Sequence, residues 1–311
     1  MLLLDAIPQI EAKEFFIGGI KLKVFNTECL APFVEKCNKS VGTADIKINV
    51  LYLLHQRGGD ESYTSAVAQH IIQDFTKAKD LPLIAVTFDL RNHGSRVVDE
   101  AKNEDWAAGN DTHAIDMISA INGNVADLKL IVDFLPSLLD LDPLNDDPDL
   151  PIKFNNIVGG YSLGAHVAIR FANAHPDSVS IINPTIGSYD MTSLLINRLK
   201  KTSNFDKKWF YCNYDELDLT AEEKKLYPEA LHRLVSAEDI QIFENFPFGK
   251  IKMFASFYSD DPLVPSRISS LWADMYMNDN TSTQTYVEEG RVHDVTPGMI
   301  KNFTSWLVQE I

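Results

Sequence analysis

The residues best suited to chemistry are the five from Gly160 to Gly164, which read GYSLG. A β-prone run, FNNIVGG, precedes Ser162, and a helical run, LGAHVAIRFANAH, follows it. Glycines two positions to either side let the chain make a tight, strained turn that lifts the serine hydroxyl above the end of a strand. The start of the next helix favours negative charge that develops beside it. The pattern predicts that Ser162 is a nucleophile; a serine that only caps the helix is the alternative.

This strand–turn–helix setting resembles the nucleophile elbow of the α/β-hydrolase superfamily, over roughly residues 45 to 311 apart from an insertion. In that family the acid of the triad follows a late strand, and the histidine precedes the final helix. The segment SDDPLVP resembles the family's acid loop, D-x-x-V-P, and the resemblance implies Asp261 as the acid, with the adjacent Asp260 as its substitute. The segment EGRVHD precedes the last helical run, so the resemblance implies His293 as the base.

An acyl-transfer intermediate carries an oxyanion, which two backbone N–H groups must meet. The residue after the nucleophile, Leu163, is the expected first donor. The loop HQRGG, which begins at His55, resembles the family's His-Gly-x-x-Gly loop and implies Arg57 as the second donor. Gln56 stands where the family has glycine, so Gln56 is the alternative donor.

The positions of the other histidines in the sequence indicate packing rather than catalysis. His166 lies one turn beyond Ser162 on the same helix, and His93 ends a loop that resembles the family's D-x-R-x-x-G loop, from Asp89 to Gly94. In that loop we expect an Asp–Arg pair to act as a brace. The remaining histidines are expected on helices or at the surface: His70, His113, His175 and His232.

Short apolar runs alternate with longer amphipathic stretches, which is typical of βαβ units. We predict a hairpin over 14–25, strands at 46–54, 83–88, 155–160, 179–182, 250–258 and 284–287, and helices at 63–78, 112–139 (broken at Gly123), 163–175 and 296–308. The alternation fails between about 186 and 249, where aromatic residues are frequent. The predicted fold class is α/β, a doubly wound, mostly parallel sheet with a helical cap: residues 1–185 and 250–311 form the α/β-hydrolase core, and 186–249 form the cap.

The net charge of −16 over 311 residues repels phosphate backbones and anionic lipids. We therefore expect no nucleic-acid partner and no peripheral membrane role, and anionic substrates are disfavoured unless a local basic pocket overrides the charge. No apolar run approaches the length needed to span a bilayer, so no membrane insertion is expected. Three cysteines form no disulfide framework, and the chain shows no targeting signal, so a cytoplasmic location is predicted. No spacing typical of a metal site is present, and no cofactor is expected.

A serine at the elbow excludes relatives that use aspartate there, such as epoxide hydrolases and haloalkane dehalogenases. The sequence predicts a serine hydrolase that cleaves a small carboxylic ester or thioester through an acyl-enzyme intermediate. A serine peptidase or amidase, or an acyltransferase, on the same triad is the alternative within enzymes. A non-catalytic binding protein of the same fold is the alternative outside them. The oligomeric state is left open.

Overall fold

The computed structural model describes residues 9–40, 45–147, 149–202, 207–269, 272, 282–290 and 292–311. Within these residues, eight strands form one sheet in the order β1-β2-β4-β3-β5-β6-β7-β8. The strands are β1 (Ala12–Ile17), β2 (Ile20–Phe25), β3 (Ile46–Leu54), β4 (Leu83–Phe88), β5 (Ile152–Tyr161), β6 (Ile181–Thr185), β7 (Lys252–Tyr258) and β8 (Gln284–Glu288). The hairpin of β1 and β2 joins β4 in antiparallel register, and the other neighbours pair in parallel. The mostly parallel sheet is confirmed.

The central strand β3 explains why two helical layers cover the sheet. Its sequence, IKINVLYLL, has almost no polar face, and its side chains alternate between two separate cores. Val50 and Tyr52 face one core, whereas Leu51 and Leu53 face the other. Because both faces of β3 must be buried, the connections between the parallel strands run as helices on both sides of the sheet.

The described helices are α1 (Leu30–Asn38), α2 (Glu61–Ala78), α3 (His113–Leu139), α4 (Leu163–Ala174), α5 (Met191–Leu199), α6 (Ala221–Leu226), α7 (Glu229–Asn245) and α8 (Pro297–Glu310). The helices α2 and α8 share one core, through residues such as Phe75 and Phe303. The helices α3 and α4 pack on the opposite face, through residues such as Ile131 and Val167.

Two details of the predicted elements are wrong. Gly123 does not break α3, which runs without interruption from His113 to Leu139. A Cβ at Gly123 would lie 2.5 Å from a guanidinium nitrogen of Arg91, so the glycine makes room for a packed arginine. The strand predicted at 179–182 begins and ends later, as β6, because its carbonyl end pairs with β5 and β7.

Residues 186–249 include α5, α6 and α7, and their apolar side chains belong to the same core as α3 and α4. A buried ion pair joins this segment to α4, since the Arg170 guanidinium donates to Asp239 Oδ1 at 2.6 Å. The other carboxylate oxygen of Asp239 accepts the backbone N–H of Thr192 at 2.7 Å. The segment is thus attached to α4 through charge as well as apolar contact.

Within the described ranges no helix is both long and apolar enough to cross a bilayer. The cytoplasmic location stays a prediction from the sequence.

Arg170→Met is expected to lower the free energy of unfolding by about 3–5 kcal/mol, because it leaves the buried Asp239 carboxylate without its counter-charge. Urea denaturation at neutral pH measures the change. The matched control is Arg233→Met, which removes an arginine from an exposed pair with Glu229 on α7 and is expected to change stability by no more than about 0.5 kcal/mol. Equal losses in the two variants would contradict the role given to the buried pair.

Candidate active site

Ser162 lies in the turn between β5 and α4, with a backbone φ of 51° and ψ of −107°. The positive φ is unusual for a residue with a side chain. The flanking glycines are required by close backbone contacts. A Cβ at Gly160 would lie 2.1 Å from the carbonyl oxygen of Gly164, and one at Gly164 would lie 2.3 Å from that of Leu54. The Ser162 N–H donates to the carbonyl of Thr185 at 3.0 Å, which ties the turn to the end of β6.

The structure brings together the three side chains expected to form a triad. Ser162 Oγ lies 2.8 Å from His293 Nε2, and His293 Nδ1 lies 2.7 Å from Asp261 Oδ2. The three residues follow the carboxyl ends of β5, β8 and β7, which lie at the same edge of the parallel sheet. The arrangement can pass a proton from the serine to the imidazole while the carboxylate holds the imidazole N–H.

The acid loop favours Asp261 over its neighbour. The Asp261 side chain is buried, and its Oδ1 accepts the backbone N–H groups of Leu263 at 2.8 Å and Val264 at 2.9 Å. Those two bonds leave Oδ2 directed at His293. Asp260 is exposed, and its backbone N–H donates to the carbonyl of Gly290. Asp260 therefore links the acid loop to the histidine loop through its main chain.

The oxyanion donors expected from the sequence lie at two places beside Ser162. Leu163 is the first residue of α4, so its N–H has no carbonyl four residues earlier in the helix to receive it. Gln56 and Arg57 lie in the loop after β3, the strand that pairs with β5 up to Gly160. The Arg57 guanidinium donates to the carbonyl of Asn103 at 2.8 Å, which fixes the outer part of that loop.

His55 is a structural residue of this loop that sequence reasoning placed only by position. Its Nε2 accepts the backbone N–H of Leu90 at 3.0 Å, so its Nδ1 carries the proton and donates to the Gln56 carbonyl at 2.8 Å. Burial lowers the pKa of His55 to about 4 and keeps the imidazole neutral. His55 thus connects the loop after β3 to the loop after β4.

The loop from Asp89 to Gly94 is braced by an Asp–Arg contact whose acid comes from elsewhere in the chain. Arg91 forms a two-bond salt bridge with Asp127 on α3, at 2.9 and 2.7 Å, and Arg96 donates to the same carboxylate at 2.8 Å. Asp89 instead accepts the backbone N–H groups of Glu61 and Ser95. Asp127 was not identified from the sequence because it lies 36 residues from Arg91.

Two of the other histidines pack inside the protein, and two more lie on helices, as expected. His166 is fully buried against the backbone of Ser188, and His93 packs edge-on against His55 at 5.3 Å. His113 and His232 lie on helices, yet they are only 2% and 3% exposed. His113 Nδ1 donates to the Glu104 carbonyl at 3.0 Å, in a pairing that no local pattern indicates. Among the described residues, no group of three metal-ligating side chains is present.

No protein-family model matches this chain, and no curated protein sequence matches it. Solved structures are similar along almost the whole chain. TT1662 from Thermus thermophilus has a TM-score of 0.58 at 14% identity, with 97% of this chain and 98% of that chain covered. Est1E from Butyrivibrio proteoclasticus, solved with ferulic acid, has a TM-score of 0.52 at 14% identity, with 96% and 97% covered. The Pyrococcus furiosus esterase Pf2001 has a TM-score of 0.50 at 15% identity, with 97% and 89% covered.

At sequence identities this low, structural similarity establishes the fold alone. These similarities, together with the sheet order and the turn at Ser162, show that the chain has the α/β-hydrolase fold.

Asp261→Asn is expected to lower kcat for an aryl ester by about 10⁴-fold, because an amide at this position no longer selects the imidazole tautomer that accepts the serine proton. Asp260→Asn is expected to reduce kcat far less, since that side chain is exposed. Steady-state kinetics of both variants with 4-nitrophenyl acetate provide the comparison. The opposite ranking would assign the acid to Asp260.

The stability of the protein is expected to fall in acid partly through His55. Because the pKa of folded His55 is about 4 and the ordinary value is 6.5, the unfolded chain binds more protons between these pH values, and the free energy of unfolding decreases as pH is lowered through them. His55→Gln keeps an acceptor for Leu90 but does not titrate. The loss of stability from pH 6 to pH 5, measured by urea denaturation, should be smaller in the variant by about 1 kcal/mol. Identical losses would show that His55 does not contribute.

Proposed function

We propose that this protein is a serine hydrolase that cleaves a carboxylic ester or thioester through an acyl-enzyme intermediate. The observation that carries the proposal is the continuous hydrogen-bonded chain from Ser162 through His293 to Asp261, beginning at a serine held at positive φ beside a helix N-terminus. A serine that only capped α4 would accept a backbone N–H of that helix, and the Ser162 side chain makes no such bond.

The mechanism follows from the positions of these groups. His293 Nε2 removes the proton of Ser162 as the serine oxygen attacks the carbonyl carbon of the substrate. Asp261 holds the Nδ1 proton of His293 and stabilises the imidazolium that forms. His293 then protonates the leaving alcohol or thiol, activates a water molecule, and so releases the acid product from Ser162.

The oxyanion of each tetrahedral intermediate is proposed to bind the backbone N–H groups of Leu163 and Arg57, with Gln56 as the alternative to Arg57. The Leu163 N–H lies at the positive end of α4, where negative charge is favoured. The contacts of His55 and of the Arg57 side chain hold the second loop in place before substrate arrives. A donor fixed in advance does not have to reorganise during the reaction.

An ester or thioester is favoured over an amide because its leaving group departs without further assistance. Two solved structures support this choice by likeness of fold: Pf2001 is described as an esterase, and Est1E was solved with ferulic acid. Peptidase, amidase and acyltransferase activities use the same triad and belong in the substrate panel.

We also propose that residues 186–249 form a cap over the catalytic edge of the sheet. The segment begins where β6 ends, beside the Ser162 turn, and contains packed aromatic rings. Tyr189 lies 5.7 Å from Phe210 and 5.9 Å from Phe243, measured between ring centroids. These rings belong to the core shared with α3 and α4, and they would give the cap an apolar surface for an acyl or aryl group.

Ser162→Ala is expected to remove labelling by a fluorophosphonate probe and to lower kcat for aryl esters by about 10⁴-fold or more, since the nucleophile is lost while the fold is kept. Mass spectrometry of the labelled peptide identifies the modified residue. Ser305→Ala, an exposed serine on α8, is the matched control and should label like the wild type.

Absence of labelling in a folded wild-type protein, together with absence of ester hydrolysis, would reject the hydrolase proposal. That result would favour a binding protein that shares the fold.

A further inference from the structure

One arginine lies in a loop beside Ser162, and a second reaches another such loop from a helix. Arg57 belongs to the loop after β3 that holds an expected oxyanion donor. Arg198 lies in the last turn of α5, and its guanidinium donates to the carbonyl of Leu263 at 2.8 Å. Leu263 is two residues after Asp261 and donates its own N–H to that carboxylate. The Arg198 side chain therefore reaches the acid loop of the triad.

Both guanidinium groups have more donors than acceptors. The Arg198 Nε is buried without a hydrogen-bond partner, and one terminal nitrogen meets only the thioether sulfur of Met117, at 3.7 Å. Arg57 has one recorded bond, to the Asn103 carbonyl. In the part of the chain that the structure describes, neither arginine forms a salt bridge. Other arginines there do lie against carboxylates: Arg91, Arg96, Arg170 and Arg233.

The positive charges of the two arginines act on the same small region. Burial and then the charge of Arg57 lower the pKa of Arg198 to about 10, although Asp261 and Asp105 oppose the shift. Burial, followed by the charges of Arg57 and Arg198, lowers the pKa of His113 to about 4. The nearby carboxylates are already engaged: Asp261 with His293, and Asp105 with the backbone N–H of Ala108 at 2.9 Å.

A structural role accounts for part of this arrangement. A positive charge in the last turn of α5 interacts favourably with the helix dipole, and each arginine braces one loop through a carbonyl. That role needs one donor from each side chain. It leaves the buried Arg198 Nε and the other guanidinium donors without acceptors, which is unfavourable unless something else supplies them.

We propose that Arg57 and Arg198 form an anion subsite beside Ser162, and that the preferred ester carries a carboxylate or phosphate group. This inference rests on the proposed function. A guanidinium presents parallel N–H donors that match the two oxygens of either anion, and such charge-assisted bonds are stronger than bonds to a carbonyl. The negative net charge of the protein disfavours anionic substrates in general. At physiological salt, however, the charges of the acidic surface are screened beyond about 8 Å, whereas the two arginines would contact the ligand directly.

The test compares pairs of esters that differ in charge but hardly in size. One pair varies the acyl side, 4-nitrophenyl hydrogen glutarate against 4-nitrophenyl valerate. The other varies the alcohol side, 4-acetoxybenzoate against 4-acetoxybenzamide. The measured quantity is the ratio of kcat/KM for the anionic ester to kcat/KM for its neutral partner. We expect the wild type to prefer the anionic member of one pair at least tenfold.

The variants assign that preference to residues. Arg198→Met and Arg57→Met are each expected to lower the ratio at least tenfold, and Arg198→Lys is expected to keep part of it because a positive charge remains. The control, Arg233→Met on the outer surface of α7, should leave the ratio unchanged. Circular dichroism of each variant checks that it is folded. If the arginine variants hydrolyse the neutral esters and show the wild-type ratio for both pairs, the anion subsite is wrong while the hydrolase proposal stands.

A binding measurement separates the two proposals and the two anions. Glutarate and inorganic phosphate are titrated calorimetrically into Ser162→Ala, alone and combined with Arg198→Met. Binding that weakens at least tenfold in the double variant supports the subsite even if no ester is hydrolysed, and the tighter of the two anions identifies the group. The subsite is wrong if neither anion binds Ser162→Ala at millimolar concentration and the wild type shows no preference for an anionic ester.

Discussion

The close approach of α4 to the end of β3 constrains the edge of the sheet at which the candidate site lies. Gly164 lies so near the carbonyl of Leu54 that no larger residue fits, and Gly160 lies equally near the backbone of Gly164. Between these two contacts the chain has room for a single turn, and Ser162 takes a backbone conformation that costs about 1–3 kcal/mol for a residue with a side chain. Burial of α4 in the core offsets that strain, because nearly every residue of the helix is inaccessible to solvent.

The serine position then sets the demands on more distant segments. In the proposed mechanism an acid and a base approach Ser162 from the loops after β7 and β8, and the hydrogen bonds of each must already be arranged. Two backbone N–H groups donate to one carboxylate oxygen of Asp261, so that the other oxygen is directed at His293. His55 does the same for the opposite loop by joining the backbone of Leu90 to that of Gln56. In both cases a buried polar side chain fixes a loop through hydrogen bonds to its backbone.

Charge is distributed unevenly in this molecule. The net charge of −16 belongs mainly to the surface, where it favours solubility. Near Ser162, by contrast, Arg57 and Arg198 have no salt-bridge partner among the described residues, whereas Arg170 on α4 lies against the carboxylates of Asp239 and Glu238. A structural arginine buried in a core is expected to be paired. Unused donors near Ser162 are instead the arrangement expected for the proposed anion subsite.

Much of the fold and of the candidate site follows from local sequence. The run IKINVLYLL has almost no polar face and indicates a strand buried on both sides, which is the position β3 occupies. The GYSLG pattern indicates the tight turn at Ser162, because glycines at these two positions allow the close backbone contacts that the turn requires. The order of strands and helices after it indicates the mostly parallel sheet, and the resemblance placed Asp261 and His293 at loops that the structure brings to Ser162.

Other features depend on pairs that are far apart in the chain, and only the tertiary structure decided them. Gly123 is compatible with a continuous helix because the Arg91 side chain occupies the space beside it. Asp127 braces the loop that contains Arg91, and His113 is buried beside charges from two other segments. Arg198 reads as an ordinary residue at the end of a helix until α5 is placed against the acid loop. Local sequence determines which backbone conformation and which face of an element are favourable. The identity of the group that meets a buried polar side chain is decided by packing between elements, for which sequence spacing carries no signal.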